Sequence, residues 1–307
     1  MVVFTLHFLY LIDIVFTFVG SNNVNKSMVL TGIPATIKDM SKGEPQSYLE
    51  LIMPDMENAY MFSLGERSVL CSGRSLYEYS KESRTWRKLE FEMEEVRTDV
   101  GCISVDEGVI ISGGTVWEYN GLDVGGSHCT DSVILLQHDF KTVEIGKLPK
   151  PIKCHTMTKI SERTFVICGG RDLHNELSDV YCGMWDGKKL RWTLMKPLKH
   201  ARFNHGAMVL KGKLIVVGGS SHWTGSRKLN RNVEYMEIKK KIQTCQWKKG
   251  KDLPFDASNA ICNVSCDGEY GIISSKDKAE LWDKDSDIIA MMDNNMNVTL
   301  LNEEEIE

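Results

Sequence analysis

Three times the chain sets two adjacent glycines behind a run of apolar, mostly β-branched residues, and no other feature restricts its fold as much. Val109-Ile110-Ile111 precedes Gly113 and Gly114 in GVIISGGT, Phe165-Val166-Ile167-Cys168 precedes Gly169 and Gly170, and Leu214 to Val217 precedes Gly218 and Gly219 in LIVVGGS. Such a run fits a short strand buried on both faces. Two glycines then remove two side chains, which permits positive φ or the close approach of another backbone. One such site is an ordinary turn, but these recur. The pairs lie 56 and 49 residues apart. A weaker copy, Gly73 in SVLCSGR, lies 40 residues before Gly113, and YGIISSK sets Ser274 and Ser275 in the glycine places, 56 residues after Gly218. A period of about 50 residues marks a repeat architecture.

The flanks repeat as well. Tyr181 and then Trp192 follow Gly170, Tyr235 and Trp247 follow Gly219, and Tyr79 and Trp86 follow Gly73. Before the glycines, KCHTM around His155 matches FNHGAMVL around His205. Each unit reads as four strands: one entering, one ending in glycines, one carrying Tyr and one carrying Trp. This pattern resembles the kelch repeat. The resemblance implies an all-β fold, a kelch-type β-propeller in which each repeat makes one four-stranded blade around a central channel. Five blades are recognisable, at 61–96, 97–150, 151–200, 201–254 and 255–293. A sixth is open if a blade is closed by an N-terminal strand, for which 47–54, SYLELIMP, is the candidate; MVLTG and NVTLL (297–301) are candidates for a mixed blade. On this reading the glycine pairs stand where neighbouring blades would collide with a side chain, and the Tyr and Trp rings fill the gaps between blades.

The domain reading is a leader over 1–21, a linker-like stretch over 22–46, the propeller over 47–302 and an acidic tail over 303–307. The first nineteen residues are nearly all apolar and give way to GSNNVNKS, with Val19-Gly20-Ser21 as a small-residue cleavage site. That favours a secreted or extracellular glycoprotein. Against it stand the lack of Lys or Arg before the run and the interruptions at His7 and Asp13, so a membrane anchor and a mis-assigned start leading to a cytoplasmic chain remain alternatives. Sequons occur at Asn25, Asn263 and Asn297. The nine cysteines are an odd count with no CxxC, so neither a disulfide framework nor a zinc site is indicated; Cys154 and Cys168 are the pair that neighbouring strands would bring face to face. A net charge of −5 gives no argument for nucleic acid.

The loops behind the glycine pairs emerge on one rim on the propeller reading, and insertions on one face commonly build a binding face. The first carries Trp117, Tyr119 and His128; the second Arg171, Asp172 and His174; the third His222, Trp223, Arg227, Lys228 and Arg231. Aromatic and arginine side chains are typical anchors of a partner, and the basic third loop suits an acidic or glycan-bearing one. The competing reading folds Trp117 and Trp223 back over the blade tops. His155, His205 and Arg202 read as hydrogen-bonding groups between blades. No GxSxG, HExxH or phosphate loop occurs, and nothing points to a cofactor, a metal or a small-molecule substrate. The resemblance extends to copper oxidases and sugar isomerases, but Cys266 near Tyr270 is too little to place a copper site. The expectation is a non-catalytic module that binds a protein, or a glycan, through the loops that follow the glycine pairs. The alternatives are a carbohydrate-acting enzyme and an intracellular scaffold, or ubiquitin-ligase substrate adaptor, without a BTB domain of its own.

Overall fold

The structure is a computed structural model describing residues 59–80, 85–120, 123–221, 228–264, 268–277 and 286–301. The segments expected to be leader, linker, closing strand and acidic tail lie outside these residues. Among the described residues, five four-stranded antiparallel sheets follow one another along the chain. Blade 1 comprises Tyr60–Leu64, Arg67–Ser72, Ser75–Ser80 and Thr85–Glu92, from the channel outward. Blade 2 comprises Gly101–Val105, Gly108–Ser112, Ser132–Gln137 and Thr142–Lys147; blade 3 comprises Thr156–Ser161, Thr164–Cys168, Val180–Trp185 and Leu190–Leu194. Blade 4 comprises Gly206–Leu210, Lys213–Val217, Val233–Glu237 and Lys248–Lys249, and blade 5 comprises Ser258–Val264, Gly271–Asp277, Ser286–Met292 and Val298–Leu300. The last of these corrects one expectation: residues 298–300 pair with Ala290 to Met292 as the outer strand of blade 5, not as part of a mixed sixth blade.

The core lies between blades, not within them, because each sheet offers an apolar face to each neighbour. Val69, Cys71 and Leu76 of blade 1 pack with Val100, Val109 and Ile111 of blade 2. Ile110 and Val133 meet Phe165 and Ile167 across the next junction, Val166 and Cys182 meet Val216 and Met236, and Ile215 and Val233 meet Ile273 and Ala290. All of these are under a tenth exposed.

Two tryptophans share one register position and the third lies one residue off it. Trp86 pairs with Tyr79, four residues back from the end of the second strand, whereas Trp192 pairs with Gly183, three back. Trp247 precedes Lys248, the partner of Tyr235, and so falls opposite Met236 at the same level. Trp247 reaches blade 3, donating from Nε1 to the Lys196 carbonyl at 2.9 Å. The tyrosines do not share a position. Tyr181 pairs with Ile167, one residue back from the strand end, and Tyr235 with Ile215, two back. Tyr79 lies four back, opposite the Trp. Trp size is therefore used at nearly one level in blades 1, 3 and 4, whereas the tyrosines fill local gaps.

Candidate functional site

The three glycine pairs form nearly identical joints. Their φ values are +58° and +94° at Gly113 and Gly114, +56° and +95° at Gly169 and Gly170, and +62° and +92° at Gly218 and Gly219. The first N–H of each pair bonds the residue that opens its own third strand region, Ser132, Asp179 or Asn232. The second crosses to the next blade's entry segment, at 2.8 Å from the carbonyls of Ile152, Arg202 and Ala257 in turn. A Cβ on Gly113 would lie 2.3 Å from the Ile152 carbonyl oxygen, and one on Gly169 would lie 2.6 Å from that of Arg202. The pair is needed because two backbones meet there. Gly73, also at positive φ, has nothing within 4 Å and serves a two-residue turn between Ser72 and Ser75. In blade 5, Ile261 pairs with Ser274 as Gly206 pairs with Val217, so Ser275 stands at the first-glycine position, and the strand runs on to Asp277.

Polar side chains complete each joint. The Arg202 guanidinium is fully buried and donates to the carbonyls of Gly218 at 2.8 Å and Asn232 at 2.9 Å, and to Glu234 Oε1 at 2.7 Å. Glu234, equally buried, also accepts the N–H groups of Lys199 and His200 and faces His200 Nδ1 at 3.2 Å. Arg97 holds the same place sixteen residues before Gly113, bonding the carbonyls of Gly113 and Ser132 and pairing with Glu95. Sequence reading named Arg202 but missed Arg97 and Glu234; the shared spacing from arginine to glycine was the available signal.

His155 Nε2 shares a hydrogen bond with Ser112 Oγ at 2.9 Å, and His205 Nε2 with Thr156 Oγ1 at 3.0 Å, so each ties its inner strand to the preceding blade. Burial lowers the His155 pKa from 6.5 to about 4 and pushes His205 well below its usual range, which keeps both rings neutral. They border a central cavity of about 500 Å³ walled by all five inner strands, among them Ser63, Ser104, Thr158 and Asn263. Its lining includes Lys159 but no carboxylate, so no pair of acids is assembled there for general acid–base work.

The rim is built by the connections behind the glycines. Behind Gly114 the chain rises as a hairpin, Thr115–Asn120 and Asp123–Cys129, joined by Val96–Thr98 into a three-stranded sheet. Trp117 is half-buried, its Nε1 donating to Thr98 Oγ1 at 3.0 Å, while Tyr119 is 50% exposed. His128 faces Glu118 at 3.3 Å on the opposite face. Behind Gly170, Arg171 is an interior residue, 9% exposed, bridged through its backbone to Lys153 and stacked over Phe203 at 5.6 Å. Asp172 Oδ1 accepts the N–H groups of His174 and Asn175, and the turn holds Leu173 out at 64% exposure with His174 beside it. Behind Gly219, Ser220–Ser221 pairs with Lys228–Leu229, and Arg231 makes a two-pronged pair with Asp256 at 2.9 and 3.1 Å. His222, Trp223 and Arg227, together with the side chain of Lys228, lie outside the described residues. The loops share one side because Lys153 bridges Arg171, Phe203 bridges Ser220 and Asn230 bridges Ala257.

Several further expectations are placed by the structure. Cys168 lies opposite Thr156 and Val180, and Cys154 sits at positive φ at the start of blade 3, so the two do not face each other across paired strands. The eight described cysteines are thiols, and no group of three His, Cys, Asp or Glu among the described residues is arranged to hold a metal. Cys266 lies outside the described residues.

No family model matches the chain. Among curated proteins, Kelch-like protein 41b of Danio rerio is 24% identical over 180 residues, which is 54% of this chain and 28% of that protein. Kelch-like protein 40 of Xenopus tropicalis is 27% identical over 144 residues, 47% of this chain and 22% of the relative. tRNA wybutosine-synthesizing protein 4 of Saccharomyces cerevisiae is 36% identical over 86 residues, 26% of this chain and 12% of that protein. The matches therefore take in well under a third of each relative's length. Among solved structures, one titled "Structure of YjhT" superposes with a TM-score of 0.58 at 10% identity, covering 80% of both chains.

Proposed function

We propose that this kelch-repeat β-propeller is a non-catalytic binding module that takes a protein partner on the rim over blades 2 to 4. The observation that carries the reading is the asymmetry of that rim. Blades 2, 3 and 4 raise segments behind their glycine pairs, and blade 1 spans the same place with a two-residue turn. The raised segments hold exposed Tyr119 and Leu173, large apolar side chains that have no structural need to be there. The Kelch-like relatives fit a repeat module for protein interaction. Lys153, half-buried beside the hairpin, favours acidic character in the partner. The neutral, tied histidines of the channel favour binding over a carbohydrate-acting enzyme.

The secreted reading continues as part of this proposal. Of the two described sequons, Asn263 lies on an inner strand with its amide nitrogen buried, whereas Asn297 is exposed on the turn before Val298–Leu300. Asn297 is thus the acceptor a secretory route would use.

A photo-crosslinking amino acid placed at Tyr119, and in a control at Met184 on the blade 3 perimeter, tests the rim. Expressed in cells of its source, the chain is expected to give a discrete crosslinked protein from position 119 and none from 184. Equal crosslinking from both positions, or from neither, would sink the proposal.

A further inference from the structure

The hairpin sheet has a three-residue edge and a long one. In the order Val96–Thr98, Thr115–Asn120, Asp123–Cys129, the last strand has a neighbour on one side only among the described residues. Thr130 donates its N–H to Gly114 O at 3.0 Å, and the register continues as Cys129 to Thr115, His128 to Val116, Ser127 to Trp117 and Gly126 to Glu118. In an antiparallel ladder, residues bonded to the partner strand alternate with residues whose N–H and C=O turn away. The parity set by Thr130 makes Ser127 and Cys129 the outward pair.

Other blade edges are guarded. The outer strand of blade 1 carries Arg87, Lys88, Glu90 and Glu92; that of blade 2 carries Glu144 and Lys147; that of blade 3 carries Arg191. The outer strands of blades 4 and 5 are only two and three residues long. Charge and shortness are the usual ways to keep a second strand from adding. Asp123–Cys129 is seven residues long, and from Val124 to Ser127 it has no charge, proline or bulky polar group. A Cβ on Gly126 would meet nothing within 4 Å.

The surroundings select what would pair there. Ser127 shares a face with Trp117, and its small side chain leaves the indole reachable from a third strand. At the Cys129 end, Lys153 Nζ sits 3.2 Å from Thr115 Oγ1, with Arg171 bridged to Lys153. Of the nearby acids, Asp172 accepts two backbone N–H groups, and Asp99 accepts the Thr115 hydroxyl at 3.3 Å and is desolvated by burial. We infer that Asp123–Cys129 is a strand-addition site for an extended segment of a partner protein, with an aromatic or long aliphatic residue over Ser127 and an acidic residue at the end nearest the half-buried Lys153. Main-chain hydrogen bonds hold such a segment and alternate side chains select it. This inference rests on the rim reading above.

The test uses a phage-displayed library of random linear peptides panned on the full chain, followed by synthesis of the selected peptides. Binding is measured to the wild type, to Ser127→Pro and to Tyr119→Ala. The peptides are also N-methylated one amide at a time, which probes the bond pattern without touching the protein. The expected result is at least tenfold weaker binding to Ser127→Pro and a loss of similar size at every second methylated amide. Full binding to Ser127→Pro with no alternation overturns strand addition. If those same peptides still fail on Tyr119→Ala, the rim reading stands alone; if no selected peptide depends on either residue, or none is selected, both fall. Self-association in sedimentation that Ser127→Pro abolishes would assign the edge to a second copy of this chain and overturn the proposal.

Discussion

Blade 1 and blade 3 both place a glycine at positive φ behind the second strand, at +58° for Gly73 and +95° for Gly170, yet the two glycines answer different demands. Gly73 turns the chain back on itself in open space. Gly169 and Gly170 bring the backbone against the entry segments of two blades, where atoms of Arg202, His155 and Lys153 leave no room for a Cβ. A glycine can thus be a local turn residue or a part of the ring, and only its neighbours tell which. Where the glycines belong to the ring, the chain beyond them is free to rise from the rim; where they belong to a turn, it is not.

Matched substitutions break that comparison most sharply. Gly169→Ala and Gly73→Ala impose similar φ strain, about 1–2 kcal/mol. Only Gly169→Ala adds a collision with a carbonyl oxygen, so its total should reach several kcal/mol. Denaturant melts of the two variants check this, and equal losses would mean that the joint yields easily.

The second contrast is between joints. Both arginines keep two carbonyl partners when the carboxylate is removed. Glu234 is fully buried, so Glu234→Ala takes the counter-charge from a guanidinium that water does not reach and should cost about 3–5 kcal/mol. Glu95 is 36% exposed, so water takes its place and Glu95→Ala should cost about 1 kcal/mol or less. Chemical denaturation of both variants gives the comparison directly.

The histidines sharpen it through pH. His155 is lowered to about 4 in the folded state, so its contribution is complete above the unfolded value of 6.5 and is lost as pH falls toward 4. The loss over that window is about 3 kcal/mol. His155→Gln should flatten the stability profile there. Asp99 runs the opposite way: burial raises its pKa, so the native state loses stability as pH rises through that raised value. The equivalent place in blade 4 holds Asn204, also at positive φ, and Asp99→Asn should therefore stabilise the protein at neutral pH. A Tm series from pH 4 to pH 8 on the wild type and both variants reads the two slopes.

The fold was legible because it rests on residues that repeat. Apolar runs recur in every blade, glycine pairs in blades 2 to 4 and tryptophans in blades 1, 3 and 4, and the period alone implies the architecture. What did not repeat was misplaced or missed. The tyrosines looked equivalent by spacing, but slips along the strands put them in three registers. Ser275, not Ser274, holds the first-glycine place. Val96–Thr98 was not seen as a strand, because three residues become one only when the hairpin behind Gly114 pairs with them. Arg171, chosen as a surface anchor, is an interior residue because its backbone bridge to Lys153 draws it over Phe203. Loop residues were found by type, and type does not say which way a side chain turns.

Tyr119→Ala is the smallest expected change in stability and the most informative about function. Tyr119 is 50% exposed near the tip of the hairpin, whereas Trp117, two residues earlier, is half-buried and tied to Thr98. Removing an exposed ring of this kind should shift stability by less than about 0.5 kcal/mol. Trp117→Ala breaks a hydrogen bond and uncovers the sheet beneath, so it should cost about 1–2 kcal/mol. If both rings serve only the hairpin, each variant's loss of partner binding will follow its loss of stability. If the rim is a binding face, Tyr119→Ala will lose the partner while melting like the wild type, which no purely architectural role of the hairpin would produce.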